Sequence, residues 1–203
     1  MKLLLGALAC AALVSCVAAD PGLLTNGCFE TGDGTGWTEW NSPWGGPFTW
    51  DYAATPAIEG MYSLNMSCPG GSFGVYQEFE TVAGQEYFVS GVWKGDGNNA
   101  WFEVLLLDEA YSYAVADGPD AADIVVKYDT WGLGTVPFGP EAIAGSRVAS
   151  GNVMTIVLKC GASGGSADVW FDCVDVCGPI PEPGTLMLLG TGLLGLAGLA
   201  RRR

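Results

Sequence analysis

The run Glu86-Tyr87-Phe88-Val89-Ser90-Gly91-Val92-Trp93, the break Gly95-Asp96-Gly97-Asn98 and the run Trp101-Phe102-Glu103-Val104-Leu105-Leu106-Leu107 decide the fold. Both runs are rich in aromatic and β-branched residues, which suit a pleated, half-buried surface. In the first, Tyr87, Val89, Gly91 and Trp93 follow a period of two, the spacing that puts side chains on one face of a strand. Strand, turn, strand is therefore the reading. The same grammar repeats outward on both sides. Phe48–Tyr52, Tyr62–Met66 and Gly74–Thr81 read as strands before it, and Ile124–Lys127, Val153–Lys159 and Asp168–Val176 after it. Gly32-Asp33-Gly34, Pro69-Gly70-Gly71 and Gly161 to Gly165 supply further turn signals. Residues 20–180 show neither convincing helical periodicity nor an internal repeat. About eight short strands at this spacing make an all-β domain, a β-sandwich whose usual eight-stranded form is the jelly roll.

Both ends of the chain read as processing signals. Met1-Lys2, the apolar run Leu3 to Val14 and Val17-Ala18-Ala19 before Asp20 are the three parts of a secretory signal peptide over 1–19. Leu13-Val14-Ser15-Cys16 also fits a lipobox, which would lipidate Cys16. At the other end, the Pro-rich spacer Gly178 to Gly184 closes the domain expected over 20–178. Thr185 to Ala200 then carries no charge, and Arg201-Arg202-Arg203 follows. Sixteen residues of helix span about 24 Å, short of the bilayer's hydrocarbon core of about 30 Å. An arginine cluster beside such a span would hold the C-terminus in the cytoplasm and the domain outside.

Composition excludes several classes of function. Residues 20–179 hold 21 acids against the four bases Lys94, Lys127, Arg147 and Lys159. Nucleic acid is then not a partner, because phosphate binding needs clustered Lys and Arg. The chain has no histidine, which removes the commonest general base and the commonest zinc ligand. Five cysteines lie past the signal: Cys28, Cys68, Cys160, Cys173 and Cys177. In an exported protein these allow up to two disulfides, with the pairing open and at least one thiol left over.

Pro181-Glu182-Pro183-Gly184, the Leu/Gly-rich span 185–200 and the closing Arg201, Arg202 and Arg203 resemble the PEP-CTERM sorting signal of Gram-negative bacteria. This resemblance implies recognition by an exosortase, cleavage near Pro181-Glu182-Pro183, only transient anchoring in the inner membrane, and delivery to the cell envelope, cell surface or extracellular matrix. A permanent single-span anchor is the alternative.

A second resemblance runs through the domain. Asn26-Gly27-Cys28-Phe29-Glu30 through Gly36-Trp37, then Glu59-Gly60-Met61-Tyr62-Ser63-Leu64, Tyr76-Gln77 with Ala83 to Tyr87, and Trp170-Phe171-Asp172-Cys173-Val174-Asp175-Val176 occur in the order of jelly-roll carbohydrate-binding modules with a galactose-binding-like fold. Cys173 departs from that pattern, which often has a second Asp there. The resemblance implies a structural Ca2+ held by the carboxylates of Glu30 and Asp172 with carbonyls of the Glu59-Gly60 turn.

Sugar binding needs flat aromatic faces flanked by hydrogen-bonding groups. Trp40, Trp44, Trp50 and Tyr52, with Asp51, Glu39 and Asn41 among them, fall close together in the sequence and are the candidate ligand residues; Trp40, Trp44 and Trp50 sit in a Pro/Gly-rich loop. Trp93 and Trp101 flank the break at 95–98, and Trp37, Trp93, Trp131 and Trp170 read as core. The expected function is non-catalytic binding of extracellular polysaccharide. The alternative is a structural surface or biofilm matrix protein without a specific glycan. No pair of carboxylates stands out for glycoside cleavage.

Overall fold

The computed structural model describes residues 22–178. The expected signal peptide, Cys16, the sorting motif 181–184, the apolar span 185–200 and the arginine cluster lie outside the described residues. Eight strands follow in order: β1 (Thr38–Gly45), β2 (Thr49–Ala54), β3 (Ser63–Cys68), β4 (Gly71–Glu80), β5 (Glu86–Leu107), β6 (Ile124–Asp129), β7 (Val136–Val148) and β8 (Val153–Cys177). A single helical turn, α1 (Tyr113–Asp117), sits between β5 and β6. Every pairing is antiparallel.

The count of eight agrees with expectation, but the strands differ. The expected turns at 95–98 and 161–165 lie inside β5 and β8, which run for 22 and 25 residues. These glycines serve close approach between the two chains. A Cβ on Gly95 would strike the Asp168 carbonyl, and one on Gly165 would strike the Asn98 carbonyl. A register shift between Asn98 and Ala100, with Asn99 at φ 47°, bends β5 there, as a bulge does. Two strands were also unforeseen, β1 and β7. Each pairs with a single neighbour, and each holds proline, Pro43 in β1 and Pro137 and Pro140 in β7. Edge strands tolerate proline because one side of the ladder is unpaired.

The long strands make two layers from one continuous ladder. The start of β8 (153–162) pairs with β4, and its end (167–171) with β3. The start of β5 pairs with β7, and its end with β6. One layer is therefore β1-β4-β8-β5-β6 and the other β2-β3-β8-β5-β7. Side chains interdigitate between them. Phe73 of β4 packs on Phe48 and on Trp50 of β2, with ring centroids 4.9 and 5.2 Å apart, and Phe102 of β5 meets Phe138 of β7 at 5.0 Å. Trp93, Phe29, Phe73, Phe102 and Phe171 are fully buried in this core, each contributing about 1.5–3 kcal/mol of hydrophobic stabilisation.

Candidate aromatic groove

The first layer is apolar on its inner face and mixed on its outer one. Along β5, Phe102, Val104 and Leu106 join the core, so the period of two points Trp101, Glu103, Leu105 and Leu107 outward. The outer face divides in two. Over one half, Trp40, Leu105, Leu107, Ala116 and Val157 form a second buried cluster, against which Tyr76, Tyr111 and Tyr113 pack. Tyr76 and Tyr111 stack at 3.8 Å with an interplanar angle of 4°. Burial, with Tyr76 beside it, raises the Tyr111 hydroxyl above the usual tyrosine range.

The other half is open. Two adjoining depressions of about 440 Å³ each share Trp101, Asp117 and Ser163. Trp44, Gly70 and Gly71 line one end of this groove, and Glu103, Lys127, Trp131 and Lys159 the other. Local sequence explains each wall. Trp101 stands opposite Gly161 across β5 and β8. A Cβ on Gly161 would run into the Trp101 ring, so the glycine lets the indole lie flat on the sheet. Trp131 stacks on Trp101 at 5.5 Å and 14°. Its loop is pinned to the β5 bend: Gly132 N–H donates to Asn99 Oδ1 at 3.0 Å, and Ala100 N–H to Thr130 Oγ1 at 3.0 Å. Trp44 sits at the end of β1, where Gly46 N–H donates to the Gly70 carbonyl. Trp44 is 63% exposed and Trp131 52%.

The floor is ionic. Lys159 Nζ lies 2.8 Å from Glu103 Oε2 and donates to the Asp117 carbonyl at 2.9 Å. The Lys159 and Glu103 side chains are 3% and 5% exposed. Lys127 reaches Glu103 Oε1 at 3.1 Å and Asp129 at 3.4 Å. Burial opposes its charge, but the hydrogen bonds and charges of Glu103 and Asp129 outweigh that and raise its pKa. Two indole faces over a pinned polar floor can stack on a flat ligand and hydrogen-bond its edge.

Of the expected ligand residues, only Trp44 lines the groove. Trp40 is 6% exposed, in the second cluster, lying across Gly74 of β4. Trp50 points inward, its Nε1 donating to the Gly74 carbonyl at 3.2 Å. Tyr52 packs against Phe29 and donates to Glu39 at 3.2 Å. Burial, with the Glu39 charge, raises its hydroxyl above the ordinary range. Asp51 is exposed and accepts the Ala53 N–H. The Pro/Gly-rich stretch around Trp40 and Trp44, expected as a loop, forms β1, the expected strand Phe48–Tyr52 is β2, and alternation along them buries Trp40 and turns Trp50 inward. Trp131, read from sequence as core, is a wall of the groove. Its Gly132-Leu133-Gly134 context was the signal for a surface turn.

The expected calcium ligands do come together, around the turn 59–62, but as a hydrogen-bond lock. Asp172 is fully buried. Its Oδ2 accepts from Glu59 N–H at 2.8 Å and the Ser63 hydroxyl at 2.7 Å, and its Oδ1 from Cys173 N–H at 2.8 Å. Glu30 Oε1 accepts from Met61 N–H at 2.8 Å and Tyr62 N–H at 3.3 Å, over Gly60. Hydrogen-bond donors engage both oxygens of Asp172 and Oε1 of Glu30. Among the described residues no three acidic, Cys or His side chains converge on a common point.

No curated protein sequence matches the chain. Several solved structures share its fold. TmCBM61, solved with β-1,4-galactotriose, superposes with a TM-score of 0.51 at 18% identity, covering 78% of this chain and 99% of that one. The enzymatically active domain of bacteriophage CBA120 tailspike protein 4 gives 0.51 at 14% identity, covering 78% of this chain and 21% of that one. An arabinose-bound α-L-arabinofuranosidase, MgGH51, gives 0.50 at 13% identity, covering 79% and 27%. The sandwich fold is therefore shared with TmCBM61 and with parts of two larger proteins, of which this chain spans about a quarter. Residues 179–203 match the PEP-CTERM protein-sorting motif, which marks the chain as an exported, cell-surface protein destined for exosortase processing.

Proposed function

We propose that this protein is a non-catalytic polysaccharide-binding protein, displayed at the surface or in the extracellular matrix of a Gram-negative cell after transient inner-membrane anchoring through residues 185–200. Trp44, Trp101 and Trp131 are the stacking platforms. Glu103, Asp117, Lys127 and Ser163 are the hydrogen-bonding groups. The observation that carries this reading is the exposed Trp131 indole stacked on the half-buried Trp101 over the pinned ionic floor. A fold shared with a galactotriose-bound module supports it, although fold alone does not assign a ligand.

Tryptophan emission titrated with host exopolysaccharide and with neutral β-linked oligosaccharides tests the idea. The expected result is a saturable emission change that is lost in Trp101→Ala. Saturable binding that survives both Trp101→Ala and Trp131→Ala would move the site elsewhere. No binding to any polymer would leave a structural matrix protein.

A further inference from the structure

We propose that the mature protein carries two disulfides, Cys28–Cys173 and Cys68–Cys160. Three observations carry the pairing. First, the four thiols are unbridged in the structure, and their side chains interact as two pairs, Cys28 with Cys173 and Cys68 with Cys160. Second, the backbone sets Cys28 opposite Cys173. Leu23 N–H donates to Val176 O at 2.9 Å and Val174 N–H to Gly27 O at 3.0 Å, so the segment 22–28 runs antiparallel along the end of β8. Residues facing across such a ladder have Cα atoms about 4.5–5.5 Å apart, inside the range a disulfide spans. Third, Cys68 and Cys160 are both buried in the main core. Cys68 ends β3 opposite Ala167, and Cys160 stands opposite Phe73 just before β8 crosses between layers.

Each bridge forms by thiol–disulfide exchange. One cysteine thiolate attacks the disulfide of an oxidised dithiol oxidoreductase, giving a mixed disulfide. The partner thiolate then displaces that enzyme. The domain loses two protons and two electrons per bridge, and the oxidoreductase leaves as a dithiol. Exported proteins meet such oxidants. The Cys28–Cys173 bridge ties the opening segment to the last strand beside the turn 59–62, where Glu30 and Asp172 are already engaged by hydrogen bonds.

The full chain, purified after export, is alkylated without reduction, digested at Asp and Glu, and mapped by mass spectrometry. Asp and Glu positions separate all four cysteines. The expected result is two cross-linked peptides, 28 with 173 and 68 with 160. Alkylated thiols at all four positions after incubation with oxidised glutathione, or a crossed pairing, would overturn the proposal. A thermal melt adds an independent readout. Dithiothreitol should lower Tm by about 10 °C, the usual effect of losing a long-loop bridge in a domain this size, and EDTA should leave it unchanged. Free thiols together with an EDTA-sensitive Tm would make the Cys28 and Cys173 locus a metal site instead.

Discussion

Glu103→Gln is the sharpest probe of the groove floor. Glu103 answers two cations, Lys159 at 2.8 Å and Lys127 at 3.1 Å. Removing its charge leaves the buried Lys159 ammonium with only the Asp117 carbonyl. An uncompensated buried charge costs about 3–5 kcal/mol. The lower end applies, near 3 kcal/mol, because Lys127 is 39% exposed, keeps Asp129 and returns to water cheaply. At about 2–4 °C per kcal/mol for a domain of this size, Tm should fall by roughly 6–12 °C. Lys159→Met leaves Glu103 with Lys127 and should cost less, about 1–2 kcal/mol. Glu103→Leu combined with Lys159→Met removes both buried charges and should lie within about 1 kcal/mol of wild type. Urea denaturation of Glu103→Leu, Lys159→Met and the pair, read as a double-mutant cycle, measures the coupling. Additive singles, or a Glu103→Gln cost below about 0.5 kcal/mol, would mean that water fills the floor, and the claim of a preorganised site would fail.

Four further substitutions separate the site from the core and the charge balance. Trp131→Ala should weaken glycan binding about tenfold, one stacking platform's worth, and leave Tm within about 2 °C. Trp40→Ala should instead cost about 3–5 kcal/mol of stability, so equal effects in both assays would show that the outer face had been divided wrongly. Gly161→Val should tilt Trp101 off the sheet, since the new side chain collides with the indole and the Gly71 carbonyl; the near-ultraviolet dichroism of the Trp101–Trp131 pair should fall with affinity, and an unchanged spectrum would refute the flat seating. Asp96→Asn should stabilise the domain at pH 7 by about 0.2–1 kcal/mol, because Asp96 stands directly opposite Asp168 across β5 and β8. Burial raises the Asp168 pKa, the Asn65 amide opposes that, and the Asp96 charge adds to it. A carboxyl whose pKa is raised on folding contributes stability below the ordinary carboxylate range and loses it as pH rises through the raised value. The gain from Asp96→Asn should therefore shrink toward pH 4, and a gain independent of pH would refute the coupling.

Alternation in 86–93 and 101–107 was enough to read an all-β sandwich, because each strand's burial pattern is local. What alternation could not carry was continuity. A glycine that permits a reversal and one that permits two backbones to touch look alike in one sequence, and Gly95, Gly97 and Gly165 are the second kind. The edges β1 and β7 were hidden by their prolines, which signal a break in a central strand but are tolerated at an edge. The site was less legible than the fold. Trp44, Trp101 and Trp131 are each visible as aromatics near glycine, but they belong to β1, β5 and the loop before β7. Only the bend of β5 and β8 brings them together. Sequence clustering pointed instead to Trp40 and Trp50, where proximity along the chain put alternate indoles on buried faces.

The same bend gives the domain a direction. The groove gathers at residues 161–164, where β8 leaves the first layer. From Ser166 to Cys177 the strand then runs twelve residues, about 40 Å at 3.3 Å each. The segment 22–28 lies beside that far end. Both termini of the domain therefore leave from the end remote from the groove, and the sorting motif begins at residue 179, one residue past Gly178. The motif therefore adjoins the end of the described domain that lies away from the aromatic walls. A secreted form lacking 179–203 should accordingly bind glycan within about twofold of the intact chain, since among the described residues none that lines the groove lies past Gly164, and should be lost from the cell surface. Isothermal titration of the two forms, with immunodetection on whole cells, tests both halves. A truncated form that stays on the cell but no longer binds would show that the tail completes the site rather than addressing the protein.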